Sequence, residues 1–334
     1  MVARSPESAG TPRSLSVVIP TFERPDWIKR AVRSLARQTR IPDEVIPVAR
    51  DTDQPTQASI AELANEGLPF PLRRVLVSRP GFMPPVAAGF RAAAGEVIAV
   101  LDDDAEALPD WAARLLAHYA VEEVGAVGGR VINMLGEEED KTVGVTDRVG
   151  YIGAFGRIVG DMYKEPTFHE PVDVSFLMGG CMSYRRDVAA RLEFDWVLNK
   201  VVANAYEVDL CLQVRNMGLR VVFDPRVAIR HYSAPRAVVG HRLRGNEEAV
   251  RWGCYNETRV LLRRLPPIHG AVAFARALLV GYRLSPGVVP WLLGPVARRA
   301  GYLTEVGPVA TRGRAEALTG VLFGPKEPEE VNTP

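Results

Sequence analysis

Several kinds of residue and segment are scarce in this 334-residue chain. Its three cysteines lie far apart and form no CxxC pair, which disfavours a disulfide framework or a zinc–thiolate site and fits a reducing, cytoplasmic location. The formal net charge is only +1, so we expect no nucleic-acid partner. No uninterrupted apolar run reaches the roughly 18–20 residues of a spanning helix. The first residues lack an apolar segment, and we expect no signal peptide.

What the chain does contain is a regular alternation of strand-like and helix-like segments between Leu15 and Val131. The strand-like runs are LSVVIPTF, DEVIPVAR, LRRVLVS, EVIAVLDDD and VGAVGGRVI. This alternation predicts an α/β fold with a doubly wound, mostly parallel sheet flanked by helices. After Val131 the pattern becomes glycine-rich and irregular, and from about His241 it is helical.

One predicted core strand ends in three consecutive carboxylates, Asp102, Asp103 and Asp104. Like charges repel and a buried unpaired carboxylate is costly, so the cluster needs a cation or a solvated rim. Because side chains alternate along a strand, Asp102 and Asp104 should point to the same side. Two such oxygen ligands suit Mg²⁺ or Mn²⁺ shared with substrate phosphates. The alternative is a solvated acidic loop before the helix that starts near Pro109.

Four ordered blocks between Leu15 and Tyr232 resemble those of glycosyltransferase family 2, which has the GT-A fold. The blocks are VVIPTFERPDWIKRAVRSLARQT, GEVIAVLDDDAEALPDWAARLLAHY, GGCMSYRRDV and YEVDLCLQVRNMGLRVVFDPRVAIRHY. The resemblance implies a metal-dependent, inverting glycosyltransferase of the hexosyltransferase type. Its donor would be a nucleotide diphosphate sugar, most simply a UDP-sugar. Its acceptor would be a hydroxyl of a glycan, a lipid-linked molecule or a small molecule.

For the metal, the resemblance implies Asp104 as the direct ligand of Mn²⁺ or Mg²⁺. Asp102 would contact the nucleotide ribose or a metal-bound water, and Asp103 would point away or assist with the nucleotide. A histidine after the last core strand is often a further ligand, and His231 stands at that place. The alternative for His231 is a strand-end histidine bonded to backbone.

For the catalytic base, the family usually shows Glu-Asp before an apolar helix, whereas this chain has Tyr206-Glu207-Val208-Asp209. Glu207 aligns with the second acid of that pair and is the expected general base, with Asp209 as the substitute candidate. The alternative is that both acids only complement the helix dipole.

The resemblance also implies contacts to the nucleotide and to the acceptor. The nucleotide contacts would be Pro20, Thr21, Glu23, Arg50, Asp51 and Arg79. Asp51 is the preferred contact to the base, while Arg50 could meet phosphate or base, and Arg79 is equally well a surface arginine. The acceptor or sugar contacts would be Gly179, Gly180 and Trp252. The last belongs to EEAVRW, which resembles the Gln-x-x-Arg-Trp motif of processive polysaccharide synthases, although simple aromatic packing is the alternative.

These assignments predict five segments along the chain. They are a disordered tail over 1–13, a nucleotide-sugar-binding half over 14–130, an acceptor-binding half over 131–240, a helical extension over 241–324 and a disordered tail over 325–334. The apolar stretch 270–303 is interrupted by arginines and prolines. It could lie peripherally on the inner face of a membrane, or it could cover the core or form a homodimer interface.

Two other functions remain open on the sequence. A nucleotidyltransferase also places acids at strand ends to hold Mg²⁺, but it normally has a Gly-rich phosphate loop after the first strand, and PTFERPDW contains none. A catalytically inactive nucleotide-binding relative is the second alternative, because the second strand ends in VARDTDQPT, unlike most relatives.

Overall fold

A computed structural model of the chain describes residues 14–199, 204–234 and 246–324. The tails predicted at 1–13 and 325–334 lie outside these described residues. The chain divides into two compact units. Unit 1 comprises the described parts of Met1–Tyr151, Val159–Phe194 and Leu210–Ala237. Unit 2 comprises the described parts of Ile152–Ile158, Asp195–Asp209 and Val238–Pro334.

The strands and helices follow the chain in a regular order over its first part. The strands are β1 (Leu15–Thr21), β2 (Glu44–Arg50), β3 (Val75–Val77), β4 (Val97–Leu101), β5 (Ala105–Ala107), β6 (Val124–Leu135), β7 (Glu138–Glu139), β8 (Val145–Thr146), β9 (Tyr151–Ile152), β10 (Ile158–Val159), β11 (Glu165–Pro166), β12 (Val172–Asp173), β13 (Cys181–Arg185), β14 (Arg220–His231), β15 (Gly281–Tyr282) and β16 (Ser285–Pro286). The helices are α1 (Pro25–Leu35), α2 (Gln54–Ala64), α3 (Met83–Ala92), α4 (Trp111–His118), α5 (Arg186–Ala189), α6 (Tyr206–Asn216), α7 (Glu247–Arg264), α8 (Pro267–Leu279), α9 (Val288–Leu292), α10 (Pro295–Arg299) and α11 (Gly307–Phe323).

The main sheet of unit 1 has the strand order β12-β14-β6-β13-β4-β1-β2-β3. Strands β4, β1, β2 and β3 are adjacent and run parallel to one another, and β14 runs parallel to β6. Strand β13 lies between β4 and β6 and is antiparallel to both, so β4, β6 and β14 share one direction. Their carboxyl ends therefore meet at one edge of the sheet. The predicted α/β fold with a mostly parallel sheet is confirmed, with β13 as an antiparallel insertion.

The apolar runs form the core of unit 1 because both faces of the sheet are covered. Every residue of β4 is buried, and so is every residue of β1 except Pro20. A strand buried on both faces needs a continuous apolar run, and this explains the sequence pattern. Helix α1 begins with Pro25 and turns Ile28, Val32 and Leu35 into the core, at the spacing of one helical face.

Strand β14 contains a bulge after Asp224, and Gly129 of β6 lies against it. A Cβ at Gly129 would lie 1.6 Å from the carbonyl oxygen of Val227, so the close approach requires glycine. Asp224 is buried, and its carboxylate accepts from His118 Nε2 at 2.8 Å and from Arg226 Nε at 3.0 Å. Burial alone would raise the pKa of Asp224, but these hydrogen bonds outweigh burial and hold its pKa well below the usual range.

In unit 2, helix α7 packs against α8 and α11 and holds the segment that leads into α6. Arg264 of α7 binds Asp209 with both branches of its guanidinium, Nε to Oδ1 at 2.6 Å and Nη2 to Oδ2 at 3.0 Å. Arg259, one turn earlier, binds Asp195 at 2.7 Å. The helical extension expected at the carboxyl end is present. None of the helices within the described residues is both long and apolar enough to cross a membrane.

Candidate active site

The edge where β4 and β14 end brings two carboxylates and an imidazole together. Asp102 and Asp104 follow β4, and His231 is the last residue of β14. His231 Nε2 lies 3.3 Å from Asp104 Oδ1 and 3.7 Å from Asp102 Oδ2. One ligand atom from each of the three residues lies within 4.8 Å of the others, so the group could hold a metal ion. The common direction of β4 and β14 is what makes this meeting possible.

A cation that the sequence analysis missed neutralises part of this cluster. Arg24, in the loop after β1, places Nη1 2.6 Å from Asp103 Oδ1 and 2.9 Å from Asp104 Oδ2. Its Nη2 donates to the carbonyl oxygen of Ala234 at 3.2 Å. Burial lowers the pKa of Arg24, but the charges of Asp103 and Asp104 outweigh burial, and the net pKa is raised. The guanidinium therefore stays charged and ties three segments of the site together.

Asp104 divides its two carboxylate oxygens between different neighbours. Oδ2 accepts from Arg24 and from the backbone N–H of Ala234 at 3.0 Å, whereas Oδ1 faces His231. Burial opposes ionisation of this acid, but the hydrogen bond and charge of His231, together with Arg24, outweigh burial and lower its pKa. Asp104 is therefore a carboxylate, with Oδ1 directed into the cluster.

Asp103 differs from its neighbours because it faces Arg24 rather than His231. It is buried, and burial raises its pKa to about 7, partly offset by the charge of Arg24. Because it contacts Arg24, the Asp103 side chain belongs to this internal pair and not to the group that could hold a metal.

Gly180 determines the space that Asp102 can occupy. The side chain of Asp102 is 42% exposed, and a Cβ at Gly180 would lie 2.2 Å from its Oδ2. Gly180 lies in the turn before β13, the strand next to β4. Gly179 and Gly180 were expected to contact the sugar or the acceptor. The structure places Gly180 directly against a carboxylate of the cluster.

The loops proposed for the nucleotide follow β1 and β2, and a buried acid joins them. Glu23 has a positive φ of 54°, and its N–H donates to Asp53 Oδ2 at 2.5 Å. Asp53 Oδ1 also accepts from the N–H of Thr56 and caps α2. Asp53 was not among the expected nucleotide contacts, whereas Asp51 was. Its position directly before Gln54-Pro55 was a helix N-cap signal that could have identified it.

The other expected nucleotide contacts lie at or shortly after the ends of β1, β2 and β3. Pro20 and Thr21 complete β1. The guanidinium of Arg50, at the end of β2, lies 5.6 Å from the centre of the Phe22 ring. Asp51 and Arg79 are exposed. Their roles stay predictions.

Three of the residues expected to act on the acceptor belong to unit 2, whereas Gly179 and Gly180 belong to unit 1. Glu207 and Asp209 stand in the first turn of α6, and Asp209 is held by Arg264. Trp252 of α7 packs edge-to-face on Tyr255, with ring centres 5.2 Å apart. Asp102, Asp104 and His231, by contrast, belong to unit 1.

Comparison with known proteins places this geometry in context. Residues 16–192, more than half of the chain, match the model of the family described as Glycosyl transferase family 2. Over 233 residues the chain is 28% identical to the O-antigen biosynthesis protein RfbC of Myxococcus xanthus. The match covers 67% of this chain and only 18% of that protein, so the chain spans less than a fifth of the relative's length.

Two solved structures share the fold over most of the chain. The mannosyltransferase PcManGT from Pyrobaculum calidifontis, in complex with GDP-Man and Mn²⁺, superposes with a TM-score of 0.56 and 18% identity, covering 94% of this chain and 89% of that one. GalNAc-T7 with UDP, GalNAc and Mn²⁺ gives a TM-score of 0.59 and 16% identity, covering 88% and 58%. At these identities the likeness concerns the fold alone, and it confirms the GT-A type of architecture.

Proposed function

Because the chain belongs to glycosyltransferase family 2, we propose that it transfers a sugar from a nucleoside diphosphate sugar to an acceptor hydroxyl, with inversion and with a divalent cation. The observation that carries this proposal is the convergence of Asp102, Asp104 and His231. Family membership favours sugar transfer over the nucleotidyl transfer that the sequence left open. The donor is a UDP-sugar in the simplest case. PcManGT binds GDP-Man and GalNAc-T7 binds UDP, so the nucleotide is the first feature to test.

The donor atoms of the cluster fit a divalent cation. Asp104 and His231 would hold Mn²⁺ or Mg²⁺, and Asp102 would contact it directly, through water, or through the nucleotide ribose. Carboxylate oxygens and an imidazole nitrogen are suitable donors for Mn²⁺. Bound there, the cation would neutralise charge on the departing nucleoside diphosphate.

Arg24 keeps the ligands in position. It binds Asp103 and one oxygen of Asp104, and so reduces the repulsion among three consecutive carboxylates. The remaining oxygen of Asp104 is thereby directed towards His231. Arg24 is a positioning residue in this scheme.

Glu207 is the proposed general base. It takes the proton of the acceptor hydroxyl as that oxygen attacks the anomeric carbon from the face opposite the leaving group. Its place in the first turn of α6 favours a carboxylate through the helix dipole. Asp209, the substitute candidate, is engaged by both branches of the Arg264 guanidinium, and this favours Glu207.

The remaining contacts are proposed from the loops that the family uses. The nucleotide contacts are Pro20, Thr21, Glu23, Arg50, Asp51 and Arg79, and the sugar or acceptor contacts are Gly179, Gly180 and Trp252. The acceptor is a hydroxyl of a glycan, a lipid-linked molecule or a small molecule. For residues 270–303, the two partners to distinguish are a membrane surface and a second copy of the chain.

A donor screen that follows hydrolysis tests the reaction class directly. UDP- and GDP-sugars are compared with Mn²⁺, with Mg²⁺ and with a chelator, and NMR of the product gives the anomeric configuration. We expect hydrolysis that needs the cation and an inverted product. Calorimetry that found no metal-dependent binding of any nucleoside diphosphate would favour an inactive relative instead.

Two variants separate the metal from the base. Asp104→Ala should remove metal-dependent turnover, whereas the exposed Asp147→Ala should retain it. Glu207→Gln should keep nucleotide binding and lower transfer by about 10²–10⁴-fold, the usual contribution of a general base. Glu248→Gln, an exposed glutamate of α7, is its matched control. Full transfer activity in Glu207→Gln would show that the base is another residue.

A further inference from the structure

The fully buried residues of helix α8 in unit 2 are all small, and several of its large apolar residues are exposed. Its buried positions are Gly270, Ala273 and Ala277. Its exposed apolar side chains include Ile268, Val272 and Leu279, which are 78%, 37% and 50% exposed. Spacings of four and seven residues place these three on one face of the helix. A helix that only covers a core turns its large apolar residues inward, whereas among the large apolar residues of α8 only Phe274 and Leu278 are half-buried and these three are exposed.

The elements after α8 continue this exposed apolar surface. Helix α9 packs against α8, and α10 follows it directly in the chain. Leu292 and Val296 are 72% and 66% exposed. We define the apolar patch as the exposed residues Ile268, Val272, Leu279, Val280, Leu284, Val289, Trp291, Leu292, Leu293 and Val296. A concentration of exposed large apolar side chains on a protein surface marks a binding surface.

The segment that carries the patch has charged side chains of one sign only. The sequence from Thr258 through Thr304 contains no aspartate or glutamate. Arg283, Arg298 and Arg299 in this stretch are exposed. A two-fold contact between copies of the patch would bring arginines together without acids from the same stretch to offset them. An anionic bilayer supplies the missing charge over a continuous area.

We propose that the apolar patch docks unit 2 on the surface of a lipid bilayer that contains anionic headgroups. The large apolar side chains enter the boundary between headgroups and acyl chains, and Trp291 occupies the interfacial level that tryptophan prefers. Arg283, Arg298 and Arg299 lie over the lipid phosphates. This docking goes beyond the proposed sugar transfer, since it requires neither donor nor cation.

Vesicle flotation of the 334-residue chain, in a chelator and without nucleotide, measures the docking apart from turnover. The vesicles contain phosphatidylcholine with or without phosphatidylglycerol. We expect binding that is stronger with phosphatidylglycerol and weaker at high salt. Replacing Leu292 and Leu293 by serine should lower the partition coefficient about tenfold per residue. Arg298→Gln and Arg299→Gln should each lower it about fivefold, on phosphatidylglycerol vesicles only.

The control is Leu135→Ser, because Leu135 of unit 1 is 64% exposed and lies outside the patch. Its vesicle binding should equal that of the unchanged chain. Failure to bind phosphatidylglycerol vesicles would overturn the proposal. A dimer that Leu292→Ser dissociates would also overturn it, because the patch would then bind a second copy of the chain. Vesicle binding that appears only when the chain is ended at Gly324 would overturn it as well, because the patch would then be covered by the chain's own tail.

Discussion

A methyl group added at Gly180 tests whether the position of Asp102 controls turnover. Gly180→Ala changes no charge and no hydrogen-bonding group. Its Cβ would lie 2.2 Å from Asp102 Oδ2 and 2.6 Å from Asp102 Cγ. Non-bonded carbon atoms approach to about 3.5 Å, so the Asp102 carboxylate has to move by roughly 1 Å.

The expected size of the effect differs between stability and turnover. Asp102 is 42% exposed and can turn towards solvent, so the free energy of unfolding should fall by only about 1 kcal/mol. In the unchanged chain Asp102 Oδ2 lies 3.7 Å from His231 Nε2, and the movement separates these ligand atoms. A misplacement of about 1 Å at a reacting centre lowers turnover by on the order of 10²-fold.

The assay is metal-dependent donor hydrolysis, measured together with the melting temperature. Gly160→Ala is the control, because a Cβ there has no neighbour within 4 Å. In an Asp102→Ala background, Gly180→Ala should have almost no further effect, since the group it displaces is gone. The reasoning is refuted if Gly180→Ala turns over normally, or if it lowers turnover equally in that background.

Three further predictions concern stability. Arg264→Met removes the ion-pair partner of the buried Asp209 carboxylate, so the free energy of unfolding, measured with urea at neutral pH, should fall by about 3 kcal/mol. An unchanged free energy of unfolding would mean that this ion pair does not stabilise the fold. Gly129→Ala places a Cβ against the backbone carbonyl of Val227, which cannot rotate away as a side chain can. We therefore expect a lower melting temperature for Gly129→Ala than for Gly180→Ala, and equal melting temperatures would contradict the close approach at Gly129. Because the pKa of Asp224 is lowered in the folded chain, its carboxylate stabilises the fold above the ordinary aspartate pKa of about 3.9, and this stabilisation is lost as the pH falls further. The difference in unfolding free energy between the unchanged chain and Asp224→Asn should therefore shrink in acid. A difference that stays constant with pH would refute the assignment.

Much of the sheet could be predicted because its strands are buried on both faces. The apolar runs of β1, β2 and β4 identified those strands, and their alternation with helices predicted parallel pairing. The insertion of β13 could not be predicted in this way. It follows a long irregular stretch rather than a crossover helix, and a strand that returns without such a helix can pair antiparallel.

In the candidate site, too, relations between residues close in sequence could be predicted, whereas a contact between distant residues could not. The two-residue period of a strand predicted that Asp102 and Asp104 would act together. The structure does bring them together, but in the turn after β4 rather than in the strand, and their proximity to His231 follows from strand direction. The ion pair of Arg24 with Asp103 joins residues 79 positions apart, and no local pattern reports such a contact. The sequence showed that the carboxylates needed a cation, but not that the chain itself provides one.

The position of Arg24 bears on whether the chain needs a cation in order to fold. Because Arg24 already offsets the charges of Asp103 and Asp104, we expect the chain to reach its native structure without an ion from outside. If the proposed cation is required for turnover, protein made in a metal-starved cell would accumulate in the folded state and would become active once a suitable cation returned.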